Sequence, residues 1–262
     1  MKKVRYVFYK AKFDLWNVIR GKRKMHLIDD GINIHTCIVN LPGVIWQEKR
    51  WNVFKWAKAV WDFIRQCYSH VEVWVQGKYF PSHCHCPDEA VMVFETPDLP
   101  GEYNGTCYTS TMRGEYNGTV KRPAQEVFTH PERWDWQEYE VTDDSFEDAK
   151  AWADYRTRPD VNKGYGVKTI FRFALPLWFV KKTKLDDPKR EICSEHAEGW
   201  GVRLWRCIRW MKTIPLTIPL LNEIRIRSPR KLFRDLVHRH HVPTYSLATG
   251  RVVYDENGRK VN

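Results

Sequence analysis

The chain has 262 residues, a formal net charge of +11, and 43% hydrophobic and 14% aromatic residues. That length and composition support a substantial core, in one large domain or two small ones, and exclude a disordered chain. No apolar run reaches the roughly 18 residues that a membrane-spanning helix requires; the nearest, 173–180, is short and holds Pro176.

The first residues, Met1-Lys2-Lys3-Val4-Arg5-Tyr6, lead into a strand-like 6–9 without the apolar core and cleavage site of a signal peptide. The expectation is a cytoplasmic, reducing site of synthesis, or carriage elsewhere by an assembly that incorporates the protein. The positive charge implies weak attraction to polyanions. A dedicated nucleic-acid module would show a basic helix or an aromatic-basic motif. Only Lys22-Arg23-Lys24 is dense near the start, and the bases of 225–231 are scattered. A basic surface also suits an anionic cell wall or lipid headgroups.

In chain order, residues 4–11 alternate as a first strand. Residues 51–64 carry apolar side chains at 53, 54, 57, 60, 61 and 64, the spacing of an amphipathic helix. That helix feeds a strand, Tyr68-Ser69-His70-Val71-Glu72-Val73. In this strand Val71, Val73 and Val75 share one face, and His70, Glu72 and Trp74 share the other. Residues 77–122 read as an irregular loop and hairpin insertion. They hold a direct repeat, Gly-Glu-Tyr-Asn-Gly-Thr at 101–106 and again at 114–119, with an Asn-Gly turn signal in each copy. Between the copies, Cys107 to Thr111 reads as a short strand. Asp144 or Ser145 is placed as the cap of a helix to about Tyr155, with Phe146, Ala149, Trp152 and Ala153 on its buried side. Residues 165–179 are apolar and partly extended. A helix opens at Cys193, with Val202, Trp205, Ile208 and Met211 at helical spacing. Ser228-Pro229 introduces another helix to about His238, and 245–262 reads as a C-terminal hairpin tail around Asn257-Gly258. No Gly/Ser linker divides the chain, so 1–262 reads as one α+β domain.

The seven cysteines, at 37, 67, 84, 86, 107, 193 and 207, are odd in number and irregular in spacing, so they do not suggest a disulfide framework. Cys193 is the thiol placed for chemistry. At the first turn of a helix, aligned N–H groups favour a thiolate and can also serve an oxyanion. A strand histidine such as His70 would complete a Cys–His pair, and the pair works only if both groups share one cleft. Read structurally instead, Cys193 is a small buried hydrophobe and His70 a satisfied strand histidine. Glu72 shares a face with His70 and is a candidate orienting group. Glu195 is a first-turn dipole partner or a catalytic group, and Tyr165 a candidate for lining the site.

His83-Cys84-His85-Cys86 resembles a metal site, but alternate side chains of an extended segment diverge. At most two would reach one ion, which would need help from His35, Cys37 or Cys107. A polar loop explains the run, and a basic helix end explains His238-Arg239-His240-His241. The reading calls for no metal and no cofactor. Trp51, Trp56 and Trp61 are spaced by five and do not keep one helical face, so they carry little carbohydrate signal.

The run Tyr68-Ser69-His70-Val71-Glu72-Val73, the later Cys193-Ser194-Glu195 and the downstream Ser228-Pro229-Arg230-Lys231-Leu232-Phe233 resemble the circularly permuted papain-fold hydrolases. That branch of the NlpC-type superfamily includes YiiX-like amidases and relatives of lecithin:retinol acyltransferase. Phage-encoded members are resembled in particular through Tyr6-Val7-Phe8-Tyr9-Lys10-Ala11, His130-Pro131-Glu132-Arg133-Trp134 and Tyr165. The resemblance spans roughly residues 5–236. It implies a histidine-before-cysteine order, with Cys193 as nucleophile and His70 as base. The family's third group lies on the strand after the histidine strand, where YiiX-like members carry a glutamate. Here that strand offers Thr109, Ser110 and Thr111 and no carboxylate, a departure from the pattern.

The expected fold is therefore α+β and permuted papain-like, a small antiparallel sheet packed against the helix that bears Cys193. The expected function is a thiol hydrolase that cleaves an amide through an acyl-enzyme, with a cell-wall peptide of peptidoglycan as first substrate. Two alternatives stand beside it: a phage virion or tail component using the fold with little or no activity, bound to other virion proteins, and a lipid ester hydrolase or acyltransferase.

Overall fold

The structure, a computed structural model, describes residues 1–10, 68–77, 103–111, 116–162, 164–166, 190–205 and 229–261. Its described strands are β1 (Lys2–Lys10), β2 (Tyr68–Val75), β3 (Thr106–Thr111), β4 (Gly118–Pro123), β5 (Trp134–Val141), β6 (Thr244–Ser246) and β7 (Val252–Tyr254). The described α-helices are α1 (Ala124–Val127), α2 (Asp143–Arg156), α3 (Cys193–Trp205) and α4 (Pro229–His240). All seven strands join one antiparallel sheet in the order β4-β3-β2-β1-β5-β6-β7. The fold is thus mixed α and β. The predicted helix over 51–64 lies outside the described residues, as do Ile208 and Met211.

The sheet is buried on both sides, and strand alternation sorts the residues between them. In β1, Val4, Tyr6 and Phe8 join the core that also holds Val71, Val73 and Val75 of β2 and the inner sides of α2, α3 and α4. Val7 turns the other way, into a second cluster with Trp74, Cys107, Val127, Phe128, Trp134 and Leu247. Register confirms the split, since Val7 stands opposite Glu72 and Phe8 opposite Val71. An irregularity at the start of β2 decides which side its first residues face. Tyr9 pairs with His70 but Lys10 pairs with Tyr68, so Ser69 is an extra residue on β2. The bulge returns Tyr68 to the helix side, where its ring lies 4.7 Å from that of Phe233, and leaves His70 on the second side beside Trp134.

Strand β5 has no counterpart among the sequence expectations, and its pattern explains why. Its core side carries Asp135 and Gln137, and its tryptophans Trp134 and Trp136 lie on the other side. The buried polar groups are matched. Tyr68 Oη donates to Asp135 at 2.7 Å, Gln137 Nε2 donates to Thr244 Oγ1 at 3.0 Å, and Tyr139 Oη donates to Gln137 Oε1 at 2.7 Å.

The two repeat copies play equivalent parts. Gly105 and Gly118 hold φ of +105° and +107°, and each delivers the chain into a strand, β3 and β4. The 77–122 segment is therefore more than an insertion, because it supplies two strands of the main sheet. Likewise the C-terminal tail is integral: β6 pairs with β5 and β7 with β6, while Gly258 turns the chain between Asp255 and Arg259. Helix α2 is capped two residues ahead of Asp144, the nearer of the two expected caps. Thr142, extended at the end of β5, is its cap and accepts from the Ser145 N–H at 3.3 Å.

Candidate functional site

Helix α3 starts where the chain, arriving through Glu191, meets the β3–β4 edge of the sheet. Ser110 Oγ donates to the Glu191 carbonyl at 2.6 Å, and the Gly166 N–H donates to that carbonyl at 3.0 Å. Glu191 forms a parallel bridge with Tyr165, which brings the Tyr165 backbone to the helix start. Glu195 reaches back so that its Oε2 accepts from the Ile192 N–H at 2.9 Å. This is the carboxylate half of a capping box, and it gives Glu195 a structural task at the N-terminus. The helix then buries Cys193, Ala197, Trp200 and Leu204 against the sheet, with Tyr6 Oη donating to the Ala197 carbonyl at 3.1 Å. Cys193 itself is 3% exposed.

A second stripe of α3 faces α2. The His196 ring stacks on Trp152 at 5.1 Å, Gly199 lies against the same indole, and Arg203 pairs with Asp148 at 3.0 Å. His196 is fully buried. Its Nδ1 is 3.0 Å from Glu191 Oε2, and its Nε2 meets no hydrogen-bond partner among the described residues. The Glu191 carboxylate is shared further, with Arg156 Nη2 at 2.6 Å on one oxygen and Thr119 Oγ1 at 3.3 Å on the other. Burial alone would raise its pKa. The His196 hydrogen bond and the Arg156 and His196 charges outweigh burial and hold the carboxyl below the usual glutamate range.

The other side of the sheet carries a separate polar cluster around His70. His70 Nε2 lies 3.1 Å from Glu72 Oε1 and 3.3 Å from Thr109 Oγ1, while Thr109 donates to the Val71 carbonyl at 3.0 Å. Arg122 Nη2 donates to Glu72 Oε1 at 2.6 Å. Cys107 lies on the same side of the sheet, close enough to feel the Glu72 charge. Burial, and then the Glu72 charge, push its thiol well above the ordinary range despite the opposing Arg122 charge. Cys107 is thus held protonated. Neither it nor Cys193 is in a disulfide.

His70, Glu72 and Thr109 come together on one side of the sheet. Cys193 does not join them. His70 belongs to the layer of Trp134 and Cys107, and Cys193 to the opposite layer with Val71 and Val73, so the sheet stands between thiol and imidazole. The expected Cys193–His70 pair is corrected on that geometry. The three candidates on β3 also part company: Thr109 faces His70, Ser110 ties down the start of α3, and Thr111 is buried opposite Gly118.

Sequence reasoning passed over Glu191, His196 and Arg156. The available signal was the Cys193–His196 spacing of one helical turn, with a carboxylate just before the helix. Among the described residues no group of three His, Cys, Asp or Glu side chains is arranged to hold a metal ion. The 83–86 run, His35 and Cys37 lie outside them. His240, half-buried, packs its ring against Trp205 at 4.1 Å and against Tyr139 at 5.2 Å, at the margin of the core. No described helix is long and apolar enough to cross a membrane. Comparison with protein-family models, curated proteins and solved structures finds no match.

Proposed function

We propose that the protein is a thiol hydrolase in which Cys193 attacks an amide carbonyl and water releases the resulting thioester. A permuted papain-like fold belongs to the same proposal, without the His70 strand as source of the base, since His70 lies across the sheet from Cys193. The observation that carries it is the placement of Cys193 at the opening of α3, where the helix meets the sheet and a buried carboxylate–imidazole pair occupies the same turn. The helix dipole there favours a thiolate and a developing oxyanion. A cell-wall peptide amide is the substrate to try first, on the strength of the resemblance, with lipid esters next. Cys193→Ala should abolish release of soluble fragments from purified peptidoglycan, whereas Cys107→Ala, if folded, should retain it. Equal activity of the Cys193→Ala variant would remove the hydrolase reading.

A second reading is favoured by a different observation. His70 and Glu72 are buried and bonded to each other, with the partly buried Arg122 on the same carboxylate oxygen, as in a structural ion-pair network, and Cys193 is itself 3% exposed. On that reading the fold is a building block of a larger assembly, such as a phage particle. Absence of hydrolysis on peptide and ester substrates, together with Cys193 no more reactive than an ordinary buried thiol, would favour it.

A further inference from the structure

We infer that the outer face of α4, with the C-terminal hairpin beside it, is a docking surface for the phosphate backbone of a nucleic acid. The inference goes beyond the hydrolase reading and does not depend on it. Helix α4 turns Leu232, Phe233, Leu236 and Val237 into the core and shows Lys231, Arg234, His238 and Arg239 to solvent, with Arg230 half-buried at the margin. Lys231, Arg234 and His238 follow one another at steps of three and four residues, so they form one row along the helix. The hairpin packs on the same helix. The Tyr254 ring lies 5.4 Å from that of Phe233, and a Cβ at Gly258 would meet the Val237 side chain at 3.1 Å. Arg259 and Lys260, both exposed, follow Gly258 directly and extend the basic surface past the helix.

The helix's own energetics do not account for this surface. A dipole explains the basic last turn, His238 to His240, but α4 has no acidic residue in its first turn and carries Arg230 and Lys231 there. The positive end of the dipole disfavours cations at that position, so those two side chains are not placed for helix stability. Over 229–261 the chain has seven Lys or Arg against three Asp or Glu, so Asp235, Asp255 and Glu256 leave the surface cationic. Asp255 is also engaged within the hairpin, where it accepts from the Asn257 and Arg259 N–H groups. The row from Lys231 to His238 rises about 10 Å, close to the rise of about three nucleotides on one strand, so a single helix face can meet consecutive phosphates. A lipid surface fits less well, because an interfacial helix inserts an apolar face and every apolar side chain of α4 is already buried. The outer face also carries no Phe, Tyr or Trp to stack on bases, so the contact is with the backbone and independent of sequence.

The test is fluorescence anisotropy of a fluorescein-labelled DNA duplex of about 20 base pairs, titrated with the full-length chain between about 50 and 200 mM salt. Lys231→Gln/Arg234→Gln/Arg259→Gln should weaken binding by about tenfold at the lowest salt and flatten the slope of log Kd against log salt by about two to three. The control, Lys2→Gln/Arg158→Gln/Arg190→Gln, removes the same charge from exposed positions elsewhere and should stay within about twofold of wild type. Duplexes of unrelated sequence should bind alike. The substituted side chains are all exposed, so the unfolding midpoints should match that of wild type. In the unsubstituted chain, bound duplex should protect Lys231 and Lys260 from acetylation more than Lys2, each site quantified by mass spectrometry. Equal weakening in the two triple variants, or equal protection of the three lysines, would assign the affinity to net charge alone and overturn the inference. Failure of the wild-type chain to bind the duplex, with or without binding to phosphatidylglycerol vesicles, overturns it as well.

Discussion

Glu72 is 1% exposed and carries its charge between strands, where Arg122 supplies the compensating cation and His70 and Cys107 further contacts. Removing one partner of a buried pair leaves a charge in a poor dielectric, and such losses typically cost about 3–5 kcal/mol. Arg122→Met should therefore destabilise the fold by about 3 kcal/mol in urea denaturation; a change below about 0.5 kcal/mol, the size of an ordinary surface effect, would contradict this account of the cluster. Acid should act through two other carboxylates. Burial disfavours the charge on both Glu191 and Asp154, but His196 and Arg156 at Glu191, and Lys121 and Lys150 at Asp154, prevail and lower both pKa values. The folded chain thus binds these protons more weakly than the unfolded chain. Their stabilisation is complete above the ordinary carboxylate pKa of about 4 and is lost as pH falls through the lower folded values. The thermal midpoint should decline as pH drops below about 4.5, less steeply in Glu191→Gln. Parallel slopes for that variant and wild type would show that Glu191 contributes nothing.

At the scale of elements, the α2–α3 contact depends on one small residue. A Cβ at Gly199 would run into the Trp152 ring, the same indole that His196 stacks upon. Gly199→Ala should cost about 1–3 kcal/mol by overpacking, despite the better helix propensity of alanine, and should also shift the His196 ring. A stabilised Gly199→Ala protein would mean that the two helices are loosely apposed. Thr142→Ala should remove the α2 cap and about 1 kcal/mol, read from the urea midpoint. Elements whose apolar residues face the core were legible in advance: β1, β2, α2 and α4 follow directly from period and breaker signals. Strand β5 was not, because Asp135 and Gln137 face inward and only tertiary partners such as Tyr68 and Thr244 make that tolerable. The site was half legible. The helix start at Cys193 and the common side of His70 and Glu72 could be read from the residues. The alternation of Val71 and Val73 already hinted that His70 points away from any helix packed on the valines. Nothing local revealed that both sides of β2 would be buried, which is what let a second buried histidine layer exist.

Across the whole molecule, the sheet acts as a partition. Among the described residues, one layer holds α2, α3 and α4 with Cys193, Glu191 and His196, and the other holds Trp74, Phe128 and Trp134 around the His70 cluster. The net charge of +11 adds a separate, non-specific property: affinity for DNA or another polyanion should fall steeply with added salt and persist unchanged in Cys193→Ala. Salt-insensitive or sequence-selective binding would point instead to a dedicated nucleic-acid surface. The partition sets the two described thiols apart, one at a helix start on the helix side and one on the other side, held protonated by burial and Glu72. The most direct measurement is their relative alkylation in the same native molecule at about pH 7, each site quantified by mass spectrometry with limiting iodoacetamide. The account predicts that Cys193 is consumed first and Cys107 is left intact until the protein unfolds. Cys107 reacting as fast as Cys193, or both reacting only on unfolding, would contradict it.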